Sequence, residues 1–293
     1  MHSQESYSNL KITIVGTGLM GCSMAGGLRD IATEITGVDN NSSHLEEALA
    51  RGLIDRCMSL EEAVADSGLI LVTVPVDTSI ELLPRILDHS GAHSVVIDAG
   101  SVKAAICRSI ENHPARSRFI AAHPMAGLAV AGPVASDPRL FHDRKVVICE
   151  HEKSSSMAMD TASWIFEKLG MQIIYMDPGI HDEIAARISH LPQVTAYCLA
   201  ALMAGSDDNG LLATRMASTG FESSTRLASS PAGIWIPIFQ HNSEKISACL
   251  EEMIDLLSET RDMVKSNRWD LVARLIEKAN KAREKFLNDW KKP

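Results

Sequence analysis

Paired cysteines, a long apolar run and an excess of basic charge are all missing from this sequence, and each absence removes a class of protein. The six cysteines (Cys22, Cys57, Cys107, Cys149, Cys198 and Cys249) lie 35 to 51 residues apart, with no Cys-x-x-Cys pair and no nearby His at zinc-site spacing. A disulfide-stapled domain and a zinc module are excluded, no metal site is expected, and the thiols read as reduced and mostly buried. The opening stretch MHSQESYSNL is polar, and the longest charge-free run, Phe119 to Ser136, holds His123, two prolines and two glycines. Neither a signal peptide nor a membrane span is readable, so the expected location is the cytoplasm. Lys and Arg total 28 against 37 Asp and Glu, a formal charge of −9, which opposes attraction to phosphate backbones or anionic lipid. Nucleic acid and membrane are not expected partners. Internal repeats and low-complexity tracts are also lacking.

What is present is 293 residues, 45% hydrophobic and 22% charged, ordinary globular usage and, at about 150 residues per domain, enough chain for two domains. Short, continuous, β-branched runs recur at Lys11 to Val15, Glu34 to Asp39, Leu69 to Val74, Ser94 to Asp98, Phe119 to Ala122, Lys145 to Cys149 and Met171 to Met176. Helix-compatible stretches separate the early ones, at Met20 to Asp30, His44 to Arg51, Thr78 to Asp88 and Lys103 to Asn112. This order predicts a doubly wound α/β domain with a parallel sheet over residues 1–178. After Pro178 the strand signal stops, and residues 179–293 read as an all-helical domain interrupted around Gly205 to Gly210 and Ser229 to Gly233. Its clearest segment is Trp269 to Trp290, where Leu271, Val272, Leu275, Ile276, Ala279, Phe286, Leu287 and Trp290 fall on one face. Such a helix needs a partner surface, either within its own domain or across a dimer.

The first strand runs into Gly16-Thr17-Gly18-Leu19-Met20-Gly21, so a G-x-G-x-x-G motif follows a strand and opens a helix, the context that motif requires. Gly16 permits a tight turn, Gly18 lets backbone approach a pyrophosphate, and Gly21 lets helix and strand pack closely. Free N–H groups at the helix start, from Leu19 and Met20 onward, then face the phosphates. Asp39 ends the second strand 23 residues after Gly16, where its carboxylate can accept hydrogen bonds from both adenosine ribose hydroxyls. No Arg or Lys follows in Asn40-Asn41-Ser42-Ser43 to receive a 2′-phosphate, which favours NAD over NADP. Val74-Pro75, at the end of the third long strand, suits a wall of the cofactor cleft, although Pro75 can equally just end the strand.

Hydride transfer from an alcohol needs a proton acceptor, and neutral His serves because its ordinary pKa lies near working pH. Of 11 histidines, His123 follows a buried strand in Ala122-His123-Pro124-Met125-Ala126-Gly127, and His190 lies in Ser189-His190-Leu191-Pro192 on an otherwise apolar helix. Either can be a functional group or a satisfied core residue, while His181 and His241 are ambiguous. Ser101, in Gly100-Ser101-Val102-Lys103, is placed to cap the next helix, alone or while also orienting a catalytic imidazole.

The ordered set of the glycine motif, Gly100-Ser101-Val102-Lys103, His123-Pro124-Met125-Ala126-Gly127, Ser189-His190-Leu191-Pro192, and Gly220-Phe221 followed by Thr225-Arg226 resembles the prephenate and arogenate dehydrogenases of tyrosine biosynthesis. The resemblance spans about residues 11 to 240. It implies an NAD-dependent oxidative decarboxylation of prephenate, or of arogenate, in a cleft between the nucleotide domain and a helical homodimerisation domain. It assigns His123 as the group that accepts the hydroxyl proton, Ser101 as holding His123 and that hydroxyl, His190 to the substrate pocket, and Arg226 to a substrate carboxylate. Trp235 fits the family's aromatic after this loop, as packing. The chain departs from the family's pattern in the apolar run Gly127-Leu128-Ala129-Val130-Ala131-Gly132, and in Gln193 and Glu222 where some relatives carry His or a basic residue, which leaves pyruvyl and alanyl side chains both open. The chain lacks an extension long enough for a fused chorismate mutase, and none is expected.

Two other readings have discriminating residues. Gly18-Leu19-Met20-Gly21-x-x-Met24-Ala25 also resembles the β-hydroxyacid dehydrogenases, but those place a catalytic Lys on the first long helix of the second domain, and Ile180 to Ala204 contains none. A cofactor-responsive sensor without chemistry would have no need of His123, Ser101 and Arg226 together.

Overall fold

The computed structural model describes residues 10–128, 130–204 and 215–290. The polar N-terminal stretch up to Asn9, Ala129 of the apolar run, and the interruption at Gly205 to Gly210 lie outside the described residues.

Eight strands form one sheet in the order β3-β2-β1-β4-β5-β6-β7-β8. They are β1 (Leu10–Val15), β2 (Ala32–Val38), β3 (Arg56–Cys57), β4 (Leu69–Val72), β5 (Val95–Asp98), β6 (Phe119–Pro124), β7 (Lys145–Cys149) and β8 (Gln172–Met176). All neighbouring pairs are parallel except β6 with β7, which run antiparallel. The expected parallel sheet therefore carries one reversed step. The side-chain period of two sorts each central strand onto two faces. Leu69 and Leu71 of β4 join one apolar layer, and Ile70 and Val72 join the other.

The helices that follow are α1 (Leu19–Gly27), α2 (Ser42–Ala50), α3 (Leu60–Ala65), α4 (Val76–His89), α5 (Ala104–Ser109) and α6 (Ser156–Lys168). Met24 of α1 and Ile165 and Phe166 of α6 cover one face of the sheet; Leu83, Ile86 and Leu87 of α4 and Ile106 of α5 cover the other. Helix α6 is not among the stretches expected from the sequence, yet its buried Ala158, Thr161, Ala162, Ile165 and Phe166 stand at helical spacing behind Ser155, whose side chain accepts from the Ala158 amide.

Beyond β8 the described chain is helical. Asp177 accepts from the Gly179 and Ile180 amides to start α7 (Pro178–Ala185), with Pro178 in the first turn. The helix expected to run unbroken from Ile180 to Ala204 instead widens into a π-helical turn at Ala186–His190 before α8 (Leu191–Ala204). Then come α9 (Thr219–Thr225), a 3₁₀ turn at Arg226–Ser229, α10 (Ala232–His241), α11 (Ser243–Lys265) and α12 (Trp269–Trp290). Packing divides the chain at Ser243 and Glu244. Residue 178 is where strands end, but α7 to α10 stay with the sheet: Asp182 of α7 bonds the start of α5, and Ile238 of α10 joins the layer over α4. From Glu244 onward, Ile254 and Leu257 of α11 and Ile276 of α12 are exposed, while Leu271, Val272 and Leu275 of the apolar stripe read in Trp269 to Trp290 are half-buried. Among the described residues no helix is long and apolar enough to cross a membrane.

Candidate active site

In a sheet ordered 3-2-1-4-5-6, the crevice opens at the carboxyl ends of the strands where the order reverses, between β1 and β4. The turn after β1 carries Gly16, whose φ of +97° belongs to the left-handed region that favours glycine. A Cβ there would meet Val74 Cγ1 at 2.9 Å, and one on Gly21 would meet the Gly16 carbonyl oxygen at 2.0 Å. A Cβ on Gly18 would meet no other part of the described chain within 4 Å apart from its sequence neighbours, so an open cradle faces the start of α1. That helix has no side-chain cap and no acidic residue in its first turn, and its first intrahelical bond runs from the Cys22 amide to Gly18. The amides of Leu19, Met20 and Gly21 are thus left for an anion, and the geometry fits a dinucleotide pyrophosphate.

Two side chains hold this loop. Thr73, just past β4, donates to the Gly16 carbonyl at 2.7 Å. Asp39 Oδ2 accepts from the Thr17 amide at 2.7 Å and the Thr17 hydroxyl at 3.0 Å, while Oδ1 accepts from the Asn41 amide at 2.8 Å. Asp39 therefore braces the glycine loop as well as ending the second strand, and His44 Nδ1 stands 3.6 Å from its Oδ2. Val74 lines the turn beside Gly16, whereas Pro75 is exposed and forms the N-cap position of α4.

The reacting side lies at the ends of β5 and β6 on the same edge. His123, 8% exposed at the end of β6, puts Nδ1 2.8 Å from Nε2 of His181 on α7. His181 Nδ1 is in turn 2.8 Å from Asp182 Oδ1. The sequence leaves His181 ambiguous and assigns Asp182 no role. Burial, with the nearby His181, Lys103 and His190, holds the His123 imidazole well below its ordinary value, so the ring is neutral near pH 7. Burial pushes Asp182 up, but hydrogen bonds from His181 and from the Lys103 and Ala104 amides outweigh it, and the carboxyl lies below its usual range.

Ser101 is half-buried on the turn between β5 and α5, and its hydroxyl makes no hydrogen bond among the described residues. It does not cap the next helix, because Lys103 occupies the N-cap position and Asp182 supplies the acceptors, at 2.8 Å from the Lys103 amide and 3.0 Å from that of Ala104. The partner that orients His123 in this chain is His181. Beneath them, fully buried Lys103 donates to Asp98 Oδ2 at 2.5 Å and to the Ala122 carbonyl at 2.6 Å, which ties the ends of β5 and β6 together.

His190, 1% exposed, sits at the end of the π-helical turn. Asn242 Nδ2 lies 2.8 Å from the Asp182 carbonyl and 3.1 Å from His190 Nδ1. A carbonyl only accepts, so the atom facing it is the amide N–H₂, His190 Nδ1 is an acceptor, and the neutral ring carries its proton on Nε2. That Nε2 is buried without a partner among the described residues, as a donor awaiting a ligand acceptor would be. Burial depresses the ring to about 4. Trp235 meets it edge-on at 6.0 Å, as packing.

Arg226 is exposed, and no ion pair holds it among the described residues. Buried Gln193 on α8 donates to the Leu227 carbonyl at 2.7 Å, so it fastens the Arg226 turn one helical turn beyond His190. No side-chain bond among the described residues joins Arg226 to the histidines. Glu222 is exposed on α9, and Leu128 and Val130 of the apolar loop are about half exposed.

The nucleotide-binding domain model of prephenate dehydrogenase matches residues 24–175, just past the glycine loop, and the dimerization domain model of prephenate dehydrogenase matches residues 177–278. Over 279 residues the chain is 28% identical to a prephenate dehydrogenase of Bacillus subtilis, covering 93% of this chain and 75% of that protein. It is 26% identical to a cyclohexadienyl dehydrogenase of Zymomonas mobilis, covering 95% and 96%. Among solved structures, prephenate dehydrogenase from Aquifex aeolicus in complex with hydroxyphenyl propionate and NAD+ superposes with a TM-score of 0.86 at 26% identity, covering 96% of this chain and 99% of that one. An arogenate dehydrogenase from Synechocystis superposes with a TM-score of 0.76 at 28% identity, covering 94% and 100%. Both halves of the chain, the glycine-loop sheet and the helices that bring His181, His190 and Arg226 after it, belong to the prephenate dehydrogenase family.

Proposed function

We propose that this protein is an NAD-dependent prephenate dehydrogenase that oxidises and decarboxylates prephenate to 4-hydroxyphenylpyruvate, with His123 as the proton acceptor. The observation that carries the reading is a buried, neutral imidazole at the same strand edge as an open glycine cradle. When bound, NAD supplies the hydride acceptor, held by the Gly16 to Gly21 loop, with Asp39 at the ribose and Val74 beside the turn. His123 takes the proton of the ring hydroxyl, with the Ser101 hydroxyl free to hold that same group. Loss of the ring carboxylate as CO2 is driven by aromatisation, so orientation and proton acceptance are the main demands on the protein. Arg226, with no ion-pair partner among the described residues, offers a planar fork to a substrate carboxylate, and His190 Nε2 offers a neutral N–H donor within the pocket.

Arogenate is the second reading. Glu222 stands one helical turn ahead of Arg226, and a carboxylate there suits the ammonium of an alanyl side chain better than a second anion. Rates of NADH formation at 340 nm with prephenate and arogenate in parallel separate the two. Prephenate turnover supports the first reading, activity with arogenate alone moves the substrate, and silence with both overturns the assignment. The exposed apolar residues Ile254, Leu257 and Ile276 support a homodimer formed through the helical domain. Six unpaired cysteines suit the reducing cytoplasm.

A further inference from the structure

The surroundings that keep His123 neutral also disfavour the imidazolium that forms once it accepts a proton, because solvent is excluded and His181, Lys103 and His190 stand nearby. The hydrogen bonds show where that proton can go. Asp182 Oδ1 accepts from the Lys103 amide and faces His181 Nδ1 at 2.8 Å, and Oδ2 accepts from the Ala104 amide. An ionised carboxylate only accepts, so His181 Nδ1 carries a proton. With one proton on each ring, the arrangement is unique. His181 Nε2 is the acceptor, His123 Nδ1 is the donor across 2.8 Å, and His123 Nε2 is the free base that can meet a substrate hydroxyl.

We propose that His181, backed by Asp182, is a relay and positioning residue that fixes the tautomer of His123 and receives its Nδ1 proton during turnover. The inference rests on the reading of His123 as the base. In the relay the substrate O–H bond breaks as a bond to His123 Nε2 forms. The His123 Nδ1–H bond then breaks as one forms to His181 Nε2. The ring of His123 ends neutral, and the positive charge rests on His181 in contact with the Asp182 carboxylate. Only protons move along it, so no oxidant or reductant enters its balance. Charge is thereby shifted from a ring beside Lys103 to one paired with an anion.

The groups facing the pair come from several elements. Lys103, on the turn between β5 and α5, and Asp98, at the end of β5, flank it, bound to each other at 2.5 Å. Cys149 on β7, near Lys103 and Asp182, is pushed up to about 12 by burial and stays uncharged. His190, on the π-helical turn, is held at about 4 by burial and is neutral above that pH. Among the described residues, Asp182 is the one anion bonded to the histidine pair.

The test is a pH profile of kcat and kcat/KM for the wild type and His181→Gln, with His123→Asn in parallel. Gln can still accept from His123 Nδ1 but cannot take up a proton. The expected result is a fall in kcat of about 10- to 100-fold, with the acidic limb displaced by about one pH unit and NAD binding unchanged. A merely structural role would lower the rate without moving the limb, and an unmoved limb overturns the relay. Nitrogen-15 spectra of the wild-type histidines need no variant; the expected tautomer of His123 is Nδ1–H, and Nε2–H overturns the proposal. If His123→Asn keeps wild-type turnover, the base reading itself fails. If it abolishes turnover while His181→Gln leaves the limb in place, the relay alone fails.

Discussion

Acidification should destabilise this fold from a buried ring, and His190 sets the scale. Its side chain is 1% exposed, Nδ1 accepts from Asn242, and a second proton would have to displace that bond in a site closed to water. Burial lowers the ring from 6.5 to about 4 in the folded chain. Between those values the unfolded chain binds more protons than the folded one, so stability rises with pH there and is lost as pH falls from 6.5 toward 4. The whole loss from this one group is about 3 kcal/mol, at about 1.4 kcal/mol per pH unit. His123 is depressed too and acts in the same direction. Urea midpoints followed by tryptophan fluorescence at pH 8, 6.5, 5.5 and 4.5, at one protein concentration, measure the slope. A His190→Leu variant, whatever its stability at pH 8, should lose up to about 3 kcal/mol less across that range than the wild type. Parallel slopes for the two proteins would refute the reasoning.

The cofactor side and the substrate side give separate outcomes. Asp39→Ser removes the acceptor for the Thr17 amide and the expected ribose contact, and should weaken NAD binding by about 10- to 100-fold while relaxing discrimination against NADP, read by titrating NADH and NADPH fluorescence. Gly21→Ala would drive a Cβ to 2.0 Å from the Gly16 carbonyl oxygen, so dinucleotide binding should be lost while circular dichroism stays close to wild type; normal NAD affinity would contradict the cradle. Arg226→Ala should raise the substrate KM by about tenfold or more with little change in kcat, since a carboxylate is gripped equally before and during reaction. An unchanged KM would remove Arg226 from the substrate site.

Much of the sheet could be read from the chain because its central strands leave little choice. Leu69 to Val72 and Val95 to Asp98 are buried on both faces, and a short β-branched run of that kind between turns has few other solutions. The reversed β7 could not be read, since a buried strand looks the same in either direction. Helix α6 was missed because Ser, Met and Thr dilute its apolar stripe. The glycine loop was readable in register because its demands are local: positive φ at Gly16 and no Cβ at Gly21. The catalytic surroundings were less so. Asp182 reaches the start of α5 across 79 residues of chain and takes the capping role expected of Ser101. His181 stands in Pro178-Gly179-Ile180-His181-Asp182, which reads as a polar helix start. A signal was present nonetheless: His181, Asp182, Ala185, Ala186 and His190 recur on one face, and all five are buried. A buried stripe containing two histidines and a carboxylate marks a polar network rather than a solvated face.

The measurement that tests the central claim most directly is NADH formation from prephenate and NAD by the wild type and His123→Asn side by side, with NAD affinity measured on both. The expected result is steady prephenate-dependent turnover by the wild type and a rate lower by about 100-fold or more in the variant, with NAD affinity retained. Equal turnover by the two proteins, or none by the wild type despite bound NAD, would contradict it.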